Sequence, residues 1–130
     1  MQQDELAAWL RLLLTPGVGN QTARRLLALC GLPQHIFGQP AVWQGHVNAA
    51  QATALRREPA DLPALVQATW QWLHSPAGDG VARRILTLAD SAYPRALLAT
   101  DDPPLLLHAM GMAEVLAQDQ PFAALRCVAI

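Results

Sequence analysis

The sequence has 130 residues, of which 52% are hydrophobic and 15% are charged, so it is long enough to bury a core as one domain, or as one small domain with part of another. Nine basic residues, all of them arginines, are balanced by ten acidic residues to leave a formal charge of −1, without the basic excess typical of a stand-alone nucleic-acid-binding domain. The N-terminus lacks the basic segment of a signal peptide, and no apolar run reaches the roughly 18 residues of a membrane span, so we expect a soluble cytoplasmic protein.

The beginning of the chain predicts a helical hairpin. Asp4 is placed to cap a first helix, and residues 15–19, rich in glycine and proline, must end it. Asn20 can then cap a second helix, and Gly31 fits the left-handed position after its last turn. The buried stripe of the first helix is expected at Leu6, Trp9, Leu10 and Leu13.

The middle of the chain predicts further helices. Short helices are expected between residues 32 and 59, where 48–57 is rich in helix-forming residues. A stronger helical pattern covers residues 61–74, with Pro63 in the first turn, where proline is tolerated. Residues 75–80 combine serine, proline and glycine, and they form the best linker candidate in the chain.

The last third predicts an α/β layer. Residues 84–88, 105–109 and 127–130 are short apolar runs typical of buried strands. Two short helices are expected between them, the first running from Tyr93 or Pro94 to Ala99 and the second covering 111–117. We interpret the last run as a buried parallel strand, and because such strands feed into a binding loop, we expect the sequence to be a piece of a longer protein.

The most informative local motif is the segment around residues 13–23, which matches a helix-hairpin-helix. Two glycines around one apolar residue let the backbone approach a phosphate, and the amides at the start of the second helix favour an anion. The small residue Ala23 would let the two helices pack closely. The candidate nucleic-acid-binding residues are Gly17, Val18, Gly19, Asn20, Arg24 and Arg25. The same hairpin also has a purely structural interpretation, in which the glycines serve only backbone geometry and Val18 fills the core.

No catalytic arrangement, cofactor motif or metal site is indicated. The four histidines have no metal-ligand spacing with each other or with the cysteines, and there is no Walker loop and no GxGxxG motif. Cys30 and Cys127 are expected to be buried, inert thiols in a reducing compartment. The three adjacent arginine pairs, at 24/25, 56/57 and 83/84, are expected at solvated ends of helices and strands. Of the four tryptophans, Trp9 and Trp70 are expected in the core.

Together with the hairpin, two later stretches resemble the DNA-processing protein A (DprA, also called Smf) family. The first is residues 85–98, with Tyr93-Pro94 followed by Leu97. The second runs from Asp102-Pro103-Pro104 through Leu107 to Gly111 and on to a terminal Val128-Ala129-Ile130. The resemblance covers nearly the whole chain.

The resemblance implies a helical domain like a sterile-alpha-motif or helix-hairpin-helix module at residues 1–76. It also implies the truncated start of an extended Rossmann-like domain at 81–130. Members of the family bind single-stranded DNA, mainly through a Gly-Ser-Arg loop that would follow Ile130, and help to load the RecA recombinase during natural transformation. A homodimer is possible for the intact protein, and we expect the second half of this chain to associate with another copy or to be poorly ordered.

Three other interpretations remain open. The chain could be a helix-hairpin-helix module of a repair protein that binds duplex DNA. It could be part of a nucleotide-handling enzyme with a Rossmann-like fold, or a protein-interaction domain without DNA contact.

Overall fold

The computed structural model describes residues 1–76 and 78–117, and the backbone of 127–129. The chain divides into two compact units, Met1–Gln67 and Ala68–Ile130, here called the helical unit and the α/β unit. The helices of the first part are α1 (Gln3–Leu14), α2 (Asn20–Cys30), α3 (Pro33–Gly38), α4 (Pro40–Trp43), α5 (Ala49–Arg56) and α6 (Leu62–His74), with a 3₁₀ turn at Gln44–His46. The later elements are β1 (Val81–Thr87), α7 (Arg95–Leu98), β2 (Leu106–Met112), α8 (Ala113–Leu116) and β3 (Cys127–Ala129).

The coarse prediction, helices first and then a sheet with short helices, is confirmed. The division between the two units falls inside α6, between Gln67 and Ala68. The predicted linker ends α6 as expected, since residues 75, 76 and 78–80 are neither helix nor strand. Gly78 and Gly80 have φ angles of +105° and +70° in this connection, a backbone conformation that favours glycine.

The core of the helical unit forms where α3 packs against both α1 and α2. The predicted stripe of α1 is buried at Leu6, Trp9 and Leu10, but Leu13 is only partly buried and Leu12 is completely buried instead. Because α1 contacts two neighbouring helices, its buried face is wider than a single stripe.

Two predicted helix caps are wrong. Asp4 lies inside the first turn of α1, after Gln2 as the N-cap, and there its charge still suits the helix dipole. Asn20 is the first residue of α2, and the N-cap is Gly19. The C-terminal prediction for α2 is confirmed, because Gly31 follows the helix at φ +92° and its amide donates to the carbonyl oxygen of Leu27.

The sheet has the strand order β1-β2-β3, and both pairings are antiparallel. The expectation of a parallel last strand is therefore wrong. A four-residue helix such as α7 spans about 6 Å, whereas a parallel return along a seven-residue strand needs about 23 Å. Among the described residues, neither the β1–β2 connection nor the segment after β2 carries a helix long enough for a parallel crossover, and the strands run back alongside one another.

Both β1 and β2 are longer than the predicted strands. Val81 pairs with Met112 and Thr87 pairs with Leu106, so β1 begins before the predicted residue 84 and β2 continues past 109. One face of the sheet carries the core of the α/β unit, which is formed by Leu86, Ala92, Tyr93, Leu107, Ala109 and Leu116.

Candidate nucleic-acid interface

The hairpin between α1 and α2 is organised by Thr15. This threonine is 3% exposed, and its Oγ1 donates to the carbonyl oxygen of Arg11 at 2.7 Å. Its own carbonyl oxygen accepts from the amide of Val18 at 3.3 Å, which closes a tight turn across Pro16 and Gly17. The turn therefore ends α1 and reverses the chain within four residues.

Val18 is buried while the glycines on either side are exposed. Val18 is 6% exposed, as the structural use of the motif predicts. Gly17 has φ +76°, and a Cβ added at Gly17 or Gly19 would meet no heavy atom within 4 Å. The burial of Val18 holds the backbone of both glycines at the surface, where a ligand can approach closely.

The second helix starts directly after this turn. Gly19 is its N-cap and has no side chain to accept from the first amides of α2. Ala23 is completely buried, and its amide donates to the carbonyl oxygen of Gly19 at 2.9 Å. The helices α1 and α2 contact each other, and the complete burial of Ala23 fits the predicted use of a small residue at this position.

The two candidate arginines lie on different faces of α2. Arg24 follows Asn20 by four residues and therefore lies on the same side of the helix. Arg25 is exposed, and its Nη2 donates to Oγ1 of Thr22 at 3.3 Å. The contact with Thr22 shows that the side chain of Arg25 leans towards the N-terminus of α2, as helical side chains usually do.

Gln51 supports the hairpin from α5, and sequence reasoning missed it. Its Nε2 donates to the carbonyl oxygen of Gly17 at 3.0 Å. The same side chain completes a capping box with Asn48, the N-cap of α5. The spacing of Asn48 and Gln51 is the sequence signature of such a box, but no sequence signal indicates the contact with Gly17.

The arginine pair at 83 and 84 has structural partners. Arg83 donates through Nη1 to the carbonyl oxygen of Trp72 at 2.9 Å. Arg84 donates to the carbonyl oxygen of Leu116 at 2.8 Å and lies 3.5 Å from a carboxylate oxygen of Asp90. Neighbouring residues of a strand point to opposite faces, so this pair binds two different elements instead of forming one cationic patch.

The residues that carry the family resemblance in the α/β unit also have structural roles. Oδ2 of Asp90 accepts from the backbone amide of Thr87 at 2.8 Å, which closes the turn after β1. Tyr93 is 2% exposed, and its hydroxyl donates to the carbonyl oxygen of Pro104 at 2.8 Å. This hydrogen bond joins the chain after β1 to the segment that enters β2.

The histidines and cysteines are the remaining candidates for metal binding or catalysis. No group of three or more potential metal ligands occurs among the residues that the structure describes. Cys30 is only partly buried, which corrects the expectation of a fully buried thiol, and burial raises its pKa. Burial lowers the pKa of His108. The side chain of Cys127 lies outside the described residues.

The tryptophans differ in burial. Trp9 is buried as predicted, and Trp43 is also buried, with its Nε1 donating to the carbonyl oxygen of Ile36. Trp70 is only partly buried.

Within the described part of the chain, no helix is both long and apolar enough to cross a membrane.

Comparison with known protein families and with curated protein sequences finds no match.

Proposed function

We propose that this chain belongs to the DNA-processing proteins of the DprA type, which bind single-stranded DNA and help to load RecA. The proposal includes a sterile-alpha-motif-like or helix-hairpin-helix fold for the helical part and a Rossmann-like fold for the part that begins with β1. Its support is the combination of the hairpin with the Tyr93-Pro94 and Asp102-Pro103-Pro104 stretches. Within this function, we assign a DNA phosphate contact to the hairpin.

The observation that carries the phosphate contact is the alternation of burial at residues 17–19. Val18 is buried, whereas both glycines are exposed, with open space where a side chain would stand. A phosphate oxygen can therefore reach the backbone amides at the start of α2, where the helix dipole favours negative charge. Arg24 and Arg25 are within the first two turns and supply the cationic side chains.

The charge of the helical unit limits the strength of this contact. It contains five arginines and four carboxylates, and phosphate neutralisation supplies most of the affinity of non-specific binding. If the hairpin neutralises about two phosphates, the logarithm of the affinity for single-stranded DNA falls with the logarithm of salt with a slope of about −1.4. We therefore expect weak binding by this chain and stronger binding where other basic elements add contacts.

The phosphate contact is tested by Gly19→Ala, with Gly45→Ala as its control. Both glycines are exposed, and at both a new Cβ meets nothing within 4 Å, so neither variant creates a clash. Because Gly19 is the N-cap of α2, where alanine is less favourable than glycine, circular dichroism of both variants checks that the helices are intact. The methyl group at position 19 stands where the phosphate must approach. We expect Gly19→Ala to weaken single-stranded DNA binding about tenfold, or about 1.4 kcal/mol, measured by fluorescence anisotropy at low and moderate salt. Gly45→Ala should bind like the unchanged chain.

Two further results decide between the interpretations. Replacing Arg24 and Arg25 together with alanine should bring the salt slope close to zero. Equal binding by Gly19→Ala and Gly45→Ala would remove the hairpin from the DNA site. Tighter binding of duplex than of single-stranded DNA, lost in Gly19→Ala, would favour a duplex-binding repair module instead.

A further inference from the structure

A second feature of the helical unit lies beside the hairpin, on the outer face of α2. It is an open cleft of about 270 Å³ between this helix and the segment that follows the 3₁₀ turn. One wall is a stripe of α2 at helical spacing, and the other is formed by His46 and Val47. The residues that line it are Thr22, Arg25, Leu26, Ala28, Leu29, His46 and Val47.

The helical unit exposes apolar side chains on α2 and on the segments that follow it. Leu29, in the lining of the cleft, is 42% exposed, and Leu32, three residues later, is 36% exposed. Val42 is 43% exposed on α4, a helix that packs against α2. Scattered exposed apolar residues are ordinary, whereas an exposed leucine that lines an apolar cleft indicates a surface that can bind a partner.

The size of the cleft favours a single inserted side chain. Pockets for whole small molecules have volumes of about 300–1,000 Å³, and this cleft lies below that range and is open on one side. Among the described lining residues there is no tryptophan, tyrosine or phenylalanine, and the exposed imidazole of His46 is the one ring on which a nucleic acid base could stack. A bulky side chain presented by a peptide fits these limits better than a cofactor or a base.

The positive charge of Arg25 at the cleft favours a partner that carries a carboxylate. Arg25 is the one charged residue of the described lining, and it is exposed. Two carboxylates of the helical unit, Asp4 and Glu5, lie in the first turn of α1. The other two, Glu58 and Asp61, lie around a different depression next to Pro59. A ligand with its own carboxylate next to the apolar anchor would therefore meet Arg25 without repulsion from the cleft.

We propose that this cleft binds an acidic peptide segment of another protein, which inserts one bulky apolar side chain between α2 and Val47. An aspartate or glutamate within one helical turn of that anchor pairs with Arg25. The apolar anchor supplies the affinity, and the charge at the rim sets the orientation of the bound segment. The cleft is separate from the glycine backbone of the hairpin, although it shares Arg25 with the proposed DNA contact. The insertion of the apolar anchor does not depend on DNA binding.

The test starts from a random dodecapeptide library displayed on phage and selected on the full chain. Leu29→Glu serves for counter-selection because it places a carboxylate in the cleft at a position that is already 42% exposed. Leu98→Glu, at a position that is 52% exposed on α7, is the matched control. We expect enriched peptides to carry a leucine, phenylalanine or tryptophan with an acidic residue within four positions, and to bind the Leu98→Glu variant equally well.

The best enriched peptide is then synthesised with a fluorescent label and measured by anisotropy. We expect Leu29→Glu to weaken its binding at least tenfold and Arg25→Ala to weaken it about threefold and remove most of its salt dependence. Gly19→Ala should leave it unchanged. Circular dichroism of each variant checks that the helices are intact.

Three outcomes would overturn the proposal. One is a selection that enriches no peptide over the Leu29→Glu counter-selection. Another is a set of enriched peptides without acidic residues, or with binding that is indifferent to Arg25. The third is self-association of the unchanged chain that Leu29→Glu abolishes, because the cleft would then be covered by a second copy of the protein.

Discussion

Gln51 connects the candidate DNA-binding turn to the rest of the helical unit through one side chain. Its Nε2 donates to the carbonyl oxygen of Gly17, and its Oε1 accepts from the amide of Asn48. Both contacts satisfy backbone groups, so the same side chain stabilises a turn and a helix end. Because the contact joins residues 34 positions apart, neither local propensity nor periodicity could have predicted it.

The two roles of Gln51 can be separated by substitution. Gln51→Ala removes both hydrogen bonds and should lower the free energy of unfolding by about 1 kcal/mol. Gln51→Glu keeps an acceptor for the amide of Asn48 but cannot donate to Gly17, so it should retain most of the stability. In this variant, amide hydrogen exchange at residues 17–19 should nevertheless be faster.

Urea denaturation and hydrogen exchange measured by NMR check both expectations. Gln21→Ala, an exposed position on α2, is the control for the loss of a glutamine side chain from a helix surface. Unchanged exchange at residues 17–19 in Gln51→Glu would mean that the contact with Gly17 does not hold the turn.

At the scale of secondary structure elements, periodicity predicted most helices and strands but not how they pair. The stripe of α1 and the short runs of β1 and β2 could be recognised because burial repeats with the period of each element. The direction of pairing depends on whether a connection carries a helix long enough for a parallel crossover, and the short helix predicted to end at Ala99 was instead interpreted as part of an α/β layer with a parallel last strand. The same holds for the candidate site. The burial of Val18 and Ala23 could be predicted from local spacing. The cleft on α2 could not, because its second wall is formed by His46 and Val47, which are distant from α2 in the sequence.

The β1–β2 pair also contains a group whose ionisation affects stability. His108 stacks on the ring of Trp72, with centroids 4.3 Å apart, and its Nε2 is buried without a hydrogen-bond partner in the described part of the chain. The guanidinium of Arg83 lies 5.2 Å from the centre of the same tryptophan ring. Burial lowers the pKa of His108 below its ordinary value of 6.5, because protonation would place a cation in a poorly solvated site.

This shift predicts the direction of a pH effect. The unfolded chain binds a proton at His108 near pH 6.5, whereas the folded chain binds it only at lower pH. The free energy of unfolding should therefore fall as pH decreases from about 6.5 towards the folded pKa. His108→Phe keeps an aromatic ring against Trp72 and cannot titrate, so it should flatten this part of the pH profile.

Thermal or urea unfolding between pH 5 and pH 8 measures the effect. His46→Gln, at an exposed position in the helical unit, should keep the pH dependence of the unchanged chain. If His108→Phe shows the same decrease in stability as His46→Gln, the effect does not come from His108.

At the scale of the whole molecule, the two compact units share one helix. The division lies between Gln67 and Ala68, whereas α6 extends from Leu62 to His74. Each unit has its own buried residues, with Leu10 completely buried in the helical unit and Leu107 1% exposed in the α/β unit. Separate cores can unfold separately, so local stability should differ between the two units.

A pair of reciprocal core substitutions tests this organisation. Leu10→Ala and Leu107→Ala each leave a cavity that costs about 2–5 kcal/mol. Leu10→Ala should reduce the hydrogen-exchange protection of amides in α1 and α2 while those of β1 and β2 keep theirs, and Leu107→Ala should do the reverse. If either substitution reduced protection equally in both units, the chain would unfold as one cooperative unit. Amides of α6 after Gln67 are the most informative, because their protection shows which core stabilises the second half of the shared helix.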